Sequence, residues 1–278
     1  MREWQGLGAA FMLMAATMGA QAAEKSWTVE GDGLKISPSC ARTVEIQPNG
    51  ASHQVTIAAK ADKEDEVSQL HVTGGSVATL DISGAHCYGA GLFSHAPTLA
   101  LTIKVPDGAG IEIRDGGVAH YTIGAVGGPL TLSLAGAGGL KAASAKTLSL
   151  DLSGAGDAEI SEAGDSKLRS SGAGSVTIHA LKGTLTAKLA GAGNLTVDLI
   201  LSPSVALSAA GRSDIQFGKG SIADFSLESA GASNAVVDAV VSDARVSLSG
   251  IGDVTFAKLT GHLNQAVAGM GKVTVVEH

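Results

Sequence analysis

A short glycine phrase that returns along the second half of the chain decides most of what this sequence can become. Gly136-Ala-Gly-Gly is followed by variants that begin at Gly154, Gly172, Gly191, Gly211, Gly231, Gly250 and Gly269. Successive starts are 18, 18, 19, 20, 20, 19 and 19 residues apart. That period is well below the roughly 33 residues of the shortest common helical repeats. Around each phrase apolar and polar residues alternate, as in Leu148, Leu150 and Leu152 before the bend at Gly154 and Ala158 and Ile160 after it, which is the period of a strand. Each repeat therefore reads as two short strands about a glycine bend. A unit this small cannot bury a core by itself, but stacking sets each strand about 4.8 Å from its copy and closes a continuous apolar column. The expected fold is all-β: a right-handed single-stranded parallel β-helix, a solenoid with coils of about 19 residues, its hand taken from the strong preference of parallel β crossovers. A left-handed hexapeptide helix is excluded because apolar residues do not return at every sixth position.

The chain before the repeats divides in two. Residues 1–22 carry Arg2, an apolar run from about Leu7 to Met18, and the small-residue pattern Ala20-Gln21-Ala22, the layout of a cleaved signal peptide. No other apolar run approaches the length of a membrane span. Export to the periplasm or beyond the cell is expected. Residues 23–107 form an irregular β region, with strand-like stretches over 27–30, 43–47, 54–59, 69–73, 78–83 and 98–105, and residues 108–278 hold the β-helix repeats. No Pro- or Gly/Ser-rich linker separates them, so the irregular region is expected to run into the solenoid and cap it. The charged run Ala61-Asp-Lys-Glu-Asp-Glu66 reads as an exposed loop. Cys40 and Cys87 are the two cysteines, and in an exported protein a Cys40–Cys87 disulfide is the expected pairing. A thiol–metal site joining Cys87 with His86 and His95 has no zinc-signature spacing to support it.

With 19 Lys+Arg against 26 Asp+Glu and a formal charge of −7, the chain lacks the clustered cations that neutralise phosphates, and nucleic acid is excluded as a partner. The apolar strand Leu99-Ala-Leu-Thr-Ile-Lys-Val-Pro106, followed by phrases such as Leu152-Ser-Gly-Ala-Gly-Asp157, Ser171-Gly-Ala-Gly-Ser175 and Leu248-Ser-Gly-Ile-Gly-Asp-Val254, resembles the bacterial family called putative auto-transporter adhesin, head GIN domain. The resemblance runs from about Trp27 to Val276. It implies a β-helix and an adhesion role, and it carries over no catalytic residue. The chain departs from the family at Arg212, Ile251 and Met270, which stand between the two glycine positions and are expected to disturb bend packing.

Beyond the second glycine of each phrase runs a row of polar residues, Asp157, Ser175, Asn194, Asp214, Asn234 and Asp253, with Gly139 before it and Lys272 after it. Such a row could offer oxygens to a cation or to sugar hydroxyls, or its side chains could satisfy backbone groups of the bends. The second role is expected, since the nine-residue period of calcium-binding β-rolls is absent. Asp151, Asp157, Glu159, Glu162 and Asp165 lie within fifteen positions and could serve a polysaccharide-acting enzyme, yet alternating acids on strands more often make a solvated face. No His-x-x-x-His pair, no Gly-x-Ser-x-Gly elbow and no glycine loop ahead of a helix occurs. The sequence thus offers no catalytic, metal-ligating or cofactor-binding set. The expected function is a non-enzymatic envelope adhesion module or scaffold that meets envelope polysaccharide or a protein surface, the alternative being an exported polysaccharide-acting enzyme.

Overall fold

Residues 22–37, 41–82 and 97–277 are described here from a computed structural model. The signal segment and both cysteines, Cys40 and Cys87, fall outside the described residues. In chain order the elements are β1 (Ala23–Glu30), β2 (Gly33–Ser37), β3 (Thr43–Pro48), β4 (Gln54–Ala61), α1 (Glu64–Ser68), β5 (Leu70–Thr73), β6 (Ala78–Ile82), β7 (Ala100–Val105), β8 (Gly110–Asp115) and β9 (His120–Ile123). There follow β10 (Leu130–Leu134), β11 (Gly139–Leu152), β12 (Ala158–Ser170), β13 (Val176–Leu181), β14 (Leu185–Leu189), β15 (Leu195–Ala209), β16 (Asp214–Ser229), β17 (Asn234–Leu248), β18 (Val254–Leu259), β19 (Leu263–Val267) and β20 (Val273–Glu277).

Among strands β8 to β20 every mutual pairing is parallel and joins residues 18 to 20 apart, as in Leu150↔Leu168, Ile178↔Val197 and Leu227↔Val246. This is the parallel β-solenoid that the glycine period requires. The stretch before each bend stacks into one sheet, here sheet I, and the stretch after it into a second, sheet II. Long strands such as β12 and β16 pass round a corner and serve both. Inward side chains form unbroken columns. Ile160, Ile178, Val197, Phe217, Val237 and Phe256 on sheet II are each 0% exposed, and Leu150, Leu168, Ala187, Leu207, Leu227 and Val246 face them from sheet I. Each large apolar side chain so buried contributes about 1.5–3 kcal/mol.

The bends stack as closely as the strands. The N–H of Ala173 donates to Gly154 O at 3.0 Å, and that of Ala155 to Gly136 O at 3.0 Å. A Cβ at Gly172 would stand 1.7 Å from Gly154 O, so only glycine admits this backbone-to-backbone contact. Arg212, Ile251 and Met270 do not disturb it. Their side chains point to solvent, Met270 being 80% exposed and Ile251 57%, because the residue between the glycines faces outward in every coil.

The N-terminal strands join the same stack, but not in chain order. Parallel β2 lies between β6 and β8, and parallel β3 between β7 and β9. Beyond them the direction reverses: β5 is antiparallel to β6, β4 to β7 and β1 to β4. The charged run is not wholly a loop. Its second half enters α1, whose Val67 is buried, and the Glu66 carboxylate accepts bonds from the N–H and hydroxyl of Thr98 at 3.0–3.1 Å.

Candidate functional site

The polar row stands in register on the rim of sheet II, one residue per coil. Asp157 Oδ1 accepts the Ser175 N–H at 2.8 Å, Asn194 Oδ1 that of Asp214 at 3.3 Å, Asn234 Oδ1 that of Asp253 at 3.2 Å and Asp253 Oδ1 that of Lys272 at 3.0 Å. Asn234 also donates its amide to Asp214 Oδ1 at 3.2 Å. In other coils of the same row the N–H goes to a backbone carbonyl instead, as Asn234 N–H does to Ser213 O at 3.1 Å, so side chain and carbonyl serve as interchangeable acceptors along the rim. These side chains bridge coils, and they leave their remaining polar atoms on the surface.

The five acids between 151 and 165 do not converge. Asp157 and Glu159 lie on sheet II, and Asp151 on sheet I opposite Arg169. Glu162 meets Lys182 at 2.8 Å. Asp165, at a corner, accepts both the N–H and the hydroxyl of Thr184 at 2.8 Å, and these bonds to its ionised form hold its carboxyl below the usual carboxylate range.

A different cluster assembles on sheet II from residues one coil apart. Glu159 Oε2 lies 3.1 Å from Lys141 Nζ, its Oε1 3.1 Å from His179 Nε2, and His179 Nδ1 2.6 Å from Asp198 Oδ2. The hydrogen bond to Asp198, with that to Glu159, raises the His179 pKa. The bonds from His179 and Lys141 lower that of Glu159. The cluster borders a shallow groove of about 730 Å³ that reaches His120, Thr122, Asp157, Ser175 and Thr177. Sequence reading passed over Lys141, His179 and Asp198, although the 20- and 19-residue steps from Glu159 to His179 to Asp198 are the coil period itself. The same step sets His262 on Asp243, whose Oδ1 accepts the His262 N–H at 2.8 Å. Among the described residues no group of three or more His, Cys, Asp or Glu is arranged to hold a metal ion, and no helix is long and apolar enough to cross a membrane.

The chain matches no family model and no curated protein. It is similar in structure to a putative adhesin from Parabacteroides distasonis, with a TM-score of 0.61, 15% identity, and coverage of 92% of this chain and 98% of that one. A second similar structure, with a TM-score of 0.50, 12% identity and coverage of 92% and 96%, is described as a putative lipid binding protein from the same organism. At such identity the likeness is one of fold.

Proposed function

We propose that this protein is exported by a cleaved segment over residues 1–22 and acts as a non-enzymatic adhesion-type binding module or scaffold of the cell envelope, with sheet II as its contact surface. The observation that carries the reading is repetition. The row Asp157, Ser175, Asn194, Asp214, Asn234 and Asp253 adjoins a second row in register, Thr177, Thr196, Gln216, Val236, Thr255 and Thr274, polar apart from the exposed Val236. A face of short hydroxyl, amide and carboxylate groups repeating at about 4.8 Å suits many weak contacts with a repeating polymer better than one reaction centre, since linked weak contacts gain strongly by avidity. The acids that an enzyme would need are spread round the coil, and Asp157, Glu159, Glu162 and Asp165 are engaged with cations or N–H groups. The solved adhesin of like fold supports the reading at the level of architecture.

The test is retention of the chain from Ala23 onward on isolated envelope polysaccharides and on whole cells, with the polymer assayed for cleavage. Saturable retention of intact polymer, lost when Thr196→Lys and Thr255→Lys are combined, is the expected result. Cleaved polymer, or no retention on either material, refutes it.

A further inference from the structure

The two ends of the solenoid differ. At the N-terminal end antiparallel β1, β4 and β5 and helix α1 cover the apolar column, and Val55 and Ile57 of β4 are 0% exposed, although β1 and β5 are themselves paired along one edge. At the other end, among the described residues, β19 and β20 are likewise paired along one edge, to β17 and β18, but nothing there covers the apolar column. On sheet I the inward residues Ala244, Val246 and Leu248 are 1–4% exposed, but their copies one coil on are Leu263, Gln265 and Val267, with Val267 43% exposed. On sheet II the fully buried Val254 and Phe256 are followed by Val273 and Val275, both only half-buried.

We propose that residues 263–277 form the interface of a two-fold homodimer in which two copies meet tail to tail, β19 against β19 and β20 against β20. An occupant must extend two sheets at once and cover the apolar column between them, and a solenoid end of the same cross-section does both. The apolar column at the N-terminal end of another copy is already covered by its own β1, β4, β5 and α1, so the end with an open column to match is this same one, which makes the contact isologous and the assembly a closed dimer. A two-fold axis reverses strand direction, so the new pairing is antiparallel. Centred on Gln265, β19 sets Leu263 against Val267 of the second copy and Gln265 against itself. A primary amide carries both donors and an acceptor, so two facing Gln265 side chains satisfy each other at an inward position that is apolar in the preceding coil. The charge of Glu277 is met within its own chain by Lys258, which lessens its power to repel an approaching edge.

Sedimentation of the chain from Ala23 onward, run over a hundredfold range of concentration, tests this. A dimer that dissociates on dilution is expected, and combining Val267→Lys with Val275→Lys should leave a monomer at every concentration with an unchanged circular dichroism spectrum. In a second variant, Gln265→Cys, a residue on the two-fold axis meets its own copy, so oxidation should give a reductant-sensitive covalent dimer, whereas Ser52→Cys at the covered end should not. A monomeric parent, an open-ended polymer, a dimer that survives the lysine pair, or no cross-link at Gln265→Cys overturns the proposal.

Discussion

At the scale of single residues the solenoid is least tolerant where backbone meets backbone. Gly172→Ala puts a methyl group 1.7 Å from Gly154 O, and since that atom belongs to a coil held on both sides, the expected loss is about 3 kcal/mol in denaturant unfolding. Gly116→Ala is the matched control. Its Cβ would meet nothing within 4 Å, so stability should hold or rise by about 0.4–1 kcal/mol through the unfolded chain's lost freedom. Equal losses at the two sites would show that the stacked bend is not the reason for glycine. The His179 cluster gives a pH signature. Its raised pKa means that its contribution is full below the ordinary value of 6.5 and fades as pH rises through the raised one. Glu159, with a lowered pKa, contributes fully above 4.5 and loses that as pH falls through its own lowered value. The melting-temperature gap between the parent and His179→Gln should therefore be widest from pH 4.5 to 6.5 and narrow on either side. Added salt should shrink it, because the groups are exposed. A gap that stays flat from pH 4 to 9 would mean that the cluster carries no charge coupling.

At the scale of elements, side chains complete what the strands cannot. Asp253→Ala removes the acceptor of the Lys272 N–H at an exposed position that water can reach, so a loss of about 0.5–1 kcal/mol is expected, with Asp253→Asn restoring most of it. Inside the stack, Phe225 packs edge-on against Phe217 at 6.2 Å and Phe256 at 5.2 Å. It ties sheet I to sheet II across three coils, and Phe225→Ala should cost about 3–5 kcal/mol. The strands themselves were readable, because alternation marks the inward face and the glycine phrase marks each bend. That Asp157, Asn194, Asn234 and Asp253 accept N–H groups of the next coil was not, since the residue types point as readily to groups of their own bend. The ion clusters were not, because Lys141, Glu159, His179 and Asp198 are neighbours only once positions one period apart are set side by side. Local pattern also missed β2. Its five residues are too few to stand out, and only their place between β6 and β8 makes them a rung.

At the scale of the whole molecule, stability is nearly a sum over coils and the contacts between successive coils, so it should vary along the stack rather than unfold evenly. The period in the second half predicted this architecture, yet the reordered N-terminal rungs were beyond reach, since nothing local tells β2 and β3 to insert beneath β6 and β7. Coils in the middle, from about residue 158 to 209, have neighbours on both sides and fully buried columns. The coil of β19 and β20 has one neighbour and half-exposed Val273 and Val275. Amide hydrogen exchange should therefore be slowest over the middle coils, intermediate under the antiparallel cover of the N-terminal end, and fastest over 263–277 when the protein is dilute. That last segment also reports on association. If its open edges pair in the tail-to-tail dimer, its protection should rise with protein concentration while the middle coils stay unchanged. If exchange over 263–277 is fast and independent of concentration, the end of the stack frays in solution and the dimer does not form. Uniform exchange along the chain would refute the nearest-neighbour picture itself.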